Sequence, residues 1–370
     1  MKRRFLIQAS LAAPLLGACS VRQAVKLAYL GGLSGKFADL GSEQRNAVLL
    51  TLEQFNERTP LASGPIELIE GDDGQDPARG AEALRALAAQ DPVAVIGPAT
   101  SSIGVALAPL AAELGLLLVS PTCTTSRLTG RDDALVRVCS DTAVYGAAVA
   151  KAHLEQLKPQ RVSVLADAAN ADYTRTWVDA FVGAFDAAGA ARPRRVEFTS
   201  TAAPDHQALA NELLADAPEL VVLCCSAVDG ALLIQRLRAA RPGLPIAASA
   251  WSSTGRTLEL AGRAADGVVF EQYYDPANRT PAFVRFMQDF EQRFRQPPAF
   301  AAVLATDATR LVLAALQRGA TRQSMKAELV GRRHDSLQST LTLDANGDTH
   351  RPGVLLVARN GRFEPSGWKT

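Results

Sequence analysis

Histidine is scarce in this chain: 370 residues contain only His153, His206, His334 and His350. They lie far apart, and none makes an H-E-x-x-H pair, so no zinc-hydrolase site can be read. Cysteine is almost as rare. After Cys19 come only Cys123, Cys139, Cys224 and Cys225, too few and too unevenly spaced for a disulfide framework or a zinc site. A G-x-S-x-G nucleophile elbow is missing, as are a Walker loop and G-x-G-x-x-G. The glycines of Gly31-Gly32 and Gly35-Lys36 need only a tight turn. An excess of charge of one sign is also lacking, with 39 Lys+Arg against 38 Asp+Glu and no basic run, which argues against a nucleic-acid partner. Asp72-Asp73 is a paired carboxylate, but beside Gly74 and Pro77 it reads as a loop and helix cap. The expectation is a protein without catalysis, metal or cofactor.

The chain is also short of long apolar runs. The one that stands out, residues 5–16, follows Met1-Lys2-Arg3-Arg4 and precedes Gly17-Ala18-Cys19. It is too short for a permanent span, which takes roughly 20 residues. A basic start, a short apolar stretch and small residues describe an export signal. Leu16-Gly17-Ala18-Cys19 resembles a bacterial lipobox, which implies a signal over residues 1–19 with a lipid on Cys19. Arg3-Arg4 before Phe5-Leu6-Ile7 resembles a twin-arginine signal, although an ordinary basic region explains it equally. Ser20 resembles the pattern for sorting to an outer membrane. The body is therefore expected to be soluble, outside the cytoplasm and lipid-anchored, with no second membrane-crossing segment.

What is abundant is alternation. Short apolar runs at 25–30, 66–70, 93–96, 116–119 and 135–138 alternate with amphipathic stretches at 42–56, 77–89 and 103–114. Strands apolar on both faces and joined by helices predict a parallel sheet covered on each side. The rhythm restarts with strands at 162–166, 195–198, 220–224, 246–248 and 268–270. Two helices, 281–295 and 299–318, then follow without a strand between them, and strands at 339–343 and 353–359 close the chain. At this length two lobes are expected. The simplest packing returns the late helices to lobe 1 (24–142 plus 275–337) and the last strands to lobe 2 (143–274 plus 338–370). The chain would then cross near Asp141, Tyr274 and Asp344, and such crossings make a hinge.

In doubly wound sheets ligands bind outside the carboxyl ends of the strands. Two hydroxyl-rich stretches fall there: Gly97-Pro98-Ala99-Thr100-Ser101-Ser102 and Ser120-Pro121-Thr122-Cys123-Thr124-Thr125-Ser126. Free N–H groups at a helix start favour an anion, and a carboxylate is the natural guest. Ser101 and Thr124 could equally serve as ordinary helix caps.

Taken in order, Asp72-Asp73-Gly74-Gln75-Asp76-Pro77, Val95-Ile96-Gly97-Pro98-Ala99-Thr100-Ser101 and Ser120-Pro121-Thr122-Cys123-Thr124 resemble landmarks of the leucine/isoleucine/valine-binding-protein family. Gly31-Gly32-Leu33-Ser34-Gly35 and Asp344-Ala345-Asn346-Gly347-Asp348 extend the resemblance over the mature chain. These are type I periplasmic solute-binding proteins of branched-chain amino-acid ABC importers. The resemblance implies two Rossmann-like lobes joined by three hinge segments. It implies a carboxylate held by Thr100, Ser101 and Thr124 with the backbone of Cys123, Tyr173 reaching in from lobe 2, and an ABC permease in the inner membrane as partner.

The departures bear on the ligand. Ser249-Ala250-Trp251-Ser252-Ser253 contains no acid where the family's amino-acid binders place one for the ammonium group. A buried ammonium without a partner is expensive. The expected ligand is thus a carboxylate without a standard α-amino group, or a bulkier compound on Trp251, unless Asp141 moves in at the hinge. Cys123 and Cys139 follow neighbouring strands and could pair. A lipoprotein using the same fold to regulate a membrane or cell-wall partner is the competing expectation.

Overall fold

The computed structural model describes residues 24–200 and 203–369. The signal, the lipobox and Cys19 lie outside the described residues. The first sheet is entirely parallel, in the order β2-β1-β3-β4-β5. Its strands are β1 (Val25–Gly31), β2 (Ile66–Asp72), β3 (Val95–Ile96), β4 (Leu118–Ser120) and β5 (Leu135–Arg137). They alternate with α1 (Ala38–Arg58), α2 (Pro77–Ala88), α3 (Ser101–Glu113) and α4 (Thr142–Leu157). Leu27, Ala28, Tyr29 and Leu30 of β1 are all fully buried, as expected of a central strand with helices on both faces. Asp76 caps α2 by accepting from the Arg79 N–H at 2.8 Å, with Pro77 in the first turn, where a missing donor costs nothing.

The second sheet repeats the pattern with β6 (Val162–Asp167), α5 (Ala171–Ala187), β7 (Arg194–Phe198), α6 (His206–Leu214), β8 (Leu220–Cys224), α7 (Ala227–Ala240), β9 (Ile246–Ala248), α8 (Gly255–Ala261) and β10 (Val269–Gln272). After β10 come α9 (Pro281–Phe294), α10 (Phe300–Gln317), α11 (Met325–Leu329), β11 (Arg333–Asp335), β12 (Thr340–Thr342), β13 (Val354–Arg359) and β14 (Arg362–Pro365). The second sheet runs β14-β13-β10-β9-β8-β6-β7, with β13 and β14 antiparallel. The late helices α9 and α10 return to pack on α1.

Four details differ from the sequence reading. The strand expected at 339–343 does not join the second sheet; β12 pairs with β11 as a separate hairpin. Only Leu341 of its three residues is buried, so it carries one apolar contact, enough for a surface hairpin and too little for a sheet interior. Strand β14 was not expected, although Asn360-Gly361, both at positive φ, is the strongest short hairpin signal there is. The third crossing lies at 349–353 rather than at Asp344. Asp348 is bound to Arg137 of β5, and the Gly347 carbonyl accepts from the Arg137 N–H, so the turn belongs with the first sheet. Finally, α10 is long and apolar enough to cross a membrane, but it is buried inside the protein as a core helix.

The hinge is compact. The chain passes between the sheets after β5, after β10 and before β13. Ser140 Oγ, on the first passage, donates to the Arg351 carbonyl at 2.9 Å and accepts from the Arg351 N–H at 2.7 Å on the third. Tyr145 Oη accepts from the Ser140 N–H, and the Tyr145 ring lies 4.4 Å from that of Tyr273 on the second passage.

Candidate functional site

The carboxyl ends of the two sheets face each other. Gly97, just after β3, has φ +125°, and a Cβ there would lie 1.9 Å from the Leu30 carbonyl oxygen. Only glycine lets the loop turn this close to β1, which sets where Thr100 and Ser101 open α3. Cys123 tightens the neighbouring loop: its Sγ donates to the Thr100 carbonyl at 3.1 Å and packs on Gly104 of α3.

Between the lobes lies a cavity lined by Thr100, Ser101, Thr124, Tyr173, Trp251 and also Leu40, Ala99, Thr122, Asn170, Tyr273 and Phe300. Five of the seven residues singled out in the mature sequence thus come together. Tyr173 and Trp251 meet edge to face, with ring centroids 5.9 Å apart, and Phe37 of the first lobe covers Trp251 at 5.0 Å. Tyr273 and Phe300 form the opposite wall, 5.5 Å apart. Thr124 Oγ1 and Tyr173 Oη are buried without a well-formed hydrogen bond. Among the described residues no carboxylate lines the cavity.

Two expected residues are engaged elsewhere. The Cys123 N–H donates to Ser120 Oγ at 3.0 Å, so it holds the loop rather than facing a ligand. Asp141 caps α4, accepting from the Val144 N–H at 3.0 Å and from Thr129 Oγ1 at 2.6 Å; the cap keeps its charge out of the cleft. The thiols of Cys123 and Cys139 are free, and burial pushes both up to about 12, so neither is a reactive nucleophile.

The lobes are closed on one another. Asn170 Oδ1 accepts from the Ser102 N–H at 3.2 Å, and the Asp172 N–H donates to Ser102 Oγ at 3.3 Å. Arg127 pairs with Asp172. Across the mouth, Lys36 reaches the buried carboxylate of Asp229 at 2.9 Å, which Ser226 Oγ and His206 Nε2 also hold. In this state the inner cavity measures about 20 Å³, room for one water-sized group. Leu40 and Trp251 separate it from an outer chamber of about 550 Å³ that also touches Lys36 and Arg256. Any solute larger than water therefore requires the lobes to part.

Sequence reasoning missed Asn170, Tyr273, Phe300 and Glu271. Asn170 follows β6, so the strand-end rule applied to the second sheet would have found it. Phe300 begins α10, far from the cleft in sequence, and no local signal marks it. Glu271 of β10 is 2 % exposed. Its Oε2 accepts from Trp177 Nε1 at 3.0 Å and the Ala250 N–H at 3.1 Å, while Oε1 has no partner. Burial raises its carboxyl to about 7. An acid does adjoin Ala250, supplied by the neighbouring strand.

Two largely parallel sheets that close on a cavity at their carboxyl ends, lined by hydroxyls and aromatics, make a two-lobed receptor for a small molecule. Residues 24–358 match the family described as Periplasmic binding protein. A Leu/Ile/Val-binding protein homologue from Brucella melitensis is 24% identical over 357 residues, covering 95% of this chain and 96% of the relative. A leucine binding protein from Thermotoga maritima superposes with a TM-score of 0.85 at 24% identity, covering 94% of this chain and 99% of its own. An R. palustris ABC-transporter solute-binding protein in complex with benzoate gives 0.84 at 20% identity, covering 94% and 96%. The chain belongs to the periplasmic binding proteins of the leucine/isoleucine/valine-binding type, a family of non-enzymatic, extracytoplasmic ligand-binding proteins.

Proposed function

We propose that this chain captures a small carboxylate with an apolar or aromatic body and delivers it to an ABC importer, tethered to its membrane by a lipid on Cys19. One lobe comprises 24–142 with 275–348, the other 143–274 with 349–369. The observation that carries the ligand class is the unpartnered buried hydroxyl of Thr124, facing Tyr173 and aromatic walls in a cavity that no carboxylate of the described residues lines. The carboxylate would sit at the start of α3, near the backbone of Thr100 and Ser101, where helix N–H groups and the dipole favour an anion. Thr124 Oγ1 and Tyr173 Oη would donate to it, and the body would lie among Trp251, Tyr273 and Phe300. Benzoate occupies a protein of the same fold, and the structural neighbour from Streptococcus pneumoniae holds isoleucine.

Thermal unfolding of the purified chain against amino acids, aliphatic acids, aromatic acids and amides tests this. A ligand bound only by the folded state at a hundredfold excess over its dissociation constant stabilises by about 2.7 kcal/mol. The expected result is a raised midpoint with aliphatic or aromatic acids and none with leucine or valine; the reverse would overturn the ligand class. No shift across the whole set, with the chain folded, would favour the regulatory lipoprotein instead. Thr124→Val gives a second check. Its hydroxyl has no protein partner, so the empty protein should keep its stability. Losing a hydrogen bond to a charged group, worth roughly 1.5–3 kcal/mol, should weaken ligand binding about tenfold to a hundredfold. Unchanged affinity in calorimetry would remove Thr124 from the site.

A further inference from the structure

A second large cavity lies away from the cleft. It opens on the outer side of the first lobe, where α1, α9, α10 and β11 meet, and holds about 660 Å³. It shares no lining residue with the inner cavity of the cleft. Five arginines line it: Arg58 from α1, Arg285 from α9, Arg310 from α10, Arg318 just beyond α10, and Arg333 from β11. Only Arg318 has a carboxylate partner among the described residues, Glu328.

Two acids, Asp289 and Asp335, border the same space, and Gln54 Nε2 donates to Asp289 at 2.8 Å. The lining therefore carries five guanidinium groups against two carboxylates. His334 adds no free donor, since its Nε2 meets the Leu329 carbonyl at 2.7 Å.

The floor supplies an independent sign of a ligand. Thr306 of α10 is 4 % exposed and lines the cavity, yet its Oγ1 has no hydrogen-bond partner. A buried hydroxyl left unpaired costs free energy, so an acceptor or donor entering the cavity would recover that loss. Around Thr306 the floor is apolar, formed by Phe55, Phe286, Leu311 and Leu337. Arginine clusters suit oxyanions because the planar fork binds two oxygens at once.

We propose that this cavity is a second binding site, for an organic oxyanion with an apolar portion, of which a phosphate ester is the simplest form. The charged group would lie between Arg310, Arg285 and Arg58 and bond to Thr306, with the apolar part on Phe55 and Phe286. Soluble phosphate esters and the headgroups of anionic phospholipids share this chemistry, and the site lies on a chain proposed to be tethered at a membrane.

The test is calorimetric titration of the purified full chain with glycerol 3-phosphate and with citrate, beside co-sedimentation with phosphatidylglycerol vesicles. The expected result is saturable binding of at least one of these, at one site per chain for the soluble anions. Arg310→Gln with Arg285→Gln should weaken it at least tenfold, and Thr306→Val should weaken it measurably. Saturation by the free anions identifies a soluble ligand, whereas binding to vesicles alone identifies the lipid headgroup. Arg285 is exposed, Arg310 is half-buried and neither has a carboxylate partner among the described residues, so the arginine variant should melt with the parent. No binding of any of the three, or binding that both variants leave intact, overturns the proposal. Neither result depends on the identity of the cleft ligand.

Discussion

Asp307→Ala is expected to lose roughly 3–5 kcal/mol of stability, the usual cost of leaving one charge of a buried pair without its partner. Asp307 on α10 is fully buried and its Oδ2 meets Arg351 Nη1 at 2.9 Å; the arginine side chain is 6 % exposed. The other oxygen accepts from the Leu337 N–H at 2.7 Å. Arg351 lies on the third passage between the lobes and is tied to Ser140 on the first. Removing the carboxylate strands a guanidinium beside the hinge and orphans a backbone donor. Replacing both members, Asp307→Leu with Arg351→Met, should recover a large part of the loss, because a buried pair exchanged for apolar groups is often neutral. Urea unfolding measures both variants. A single variant as stable as the parent would show that the pair contributes nothing to the hinge.

The second large effect is a pH dependence centred on Glu271. Its carboxyl is raised in the folded state from 4.5 to about 7, chiefly by desolvation. A raised acid binds its proton more tightly when folded, so the folded protein is favoured at low pH. That advantage begins to fade at about pH 4.5, where the unfolded chain loses its proton, and is fully gone above pH 7. At 1.36 kcal/mol per unit the loss is roughly 3 kcal/mol. Glu271→Gln cannot ionise and keeps an oxygen for Trp177 and Ala250. Between about pH 4.5 and pH 8 the parent should therefore lose roughly 3 kcal/mol relative to the variant. His153, also buried and lowered to about 4, works in the opposite sense below pH 6.5, but it is common to both proteins and cancels in the comparison. Parallel pH profiles for the two would show that Glu271 is ionised at no cost in the fold.

Much of the architecture could be read from the chain. Apolar runs such as Leu27-Ala28-Tyr29-Leu30, spaced by helical periods, required parallel strands covered on both faces, because burial on two sides leaves no polar alternation. The restart of that rhythm after residue 160 marked the second sheet. The strand-end rule pointed to Thr100, Ser101 and Thr124, which the fold gathers at one cavity. These are properties of local sequence and of period, and the fold inherits them directly.

What tertiary structure decided was which groups face the cleft. Asp141 was a reasonable source of negative charge by position, but its place at the first turn of α4 turned it into a cap. Cys123 was expected to offer its backbone; Ser120, three residues earlier, takes that N–H instead. Glu271 looked like one more residue of a buried strand, and only the pairing of β10 with β9 brought it to Ala250. Phe300, Arg285 and Arg310 come from helices that return to the first lobe after more than a hundred residues in the second. Period and propensity describe neighbours along the chain. The side of a cavity on which a residue stands depends on long-range packing, so the sequence by itself determined the two α/β sheets and named part of the cavity's lining, and the closure of the fold supplied the rest.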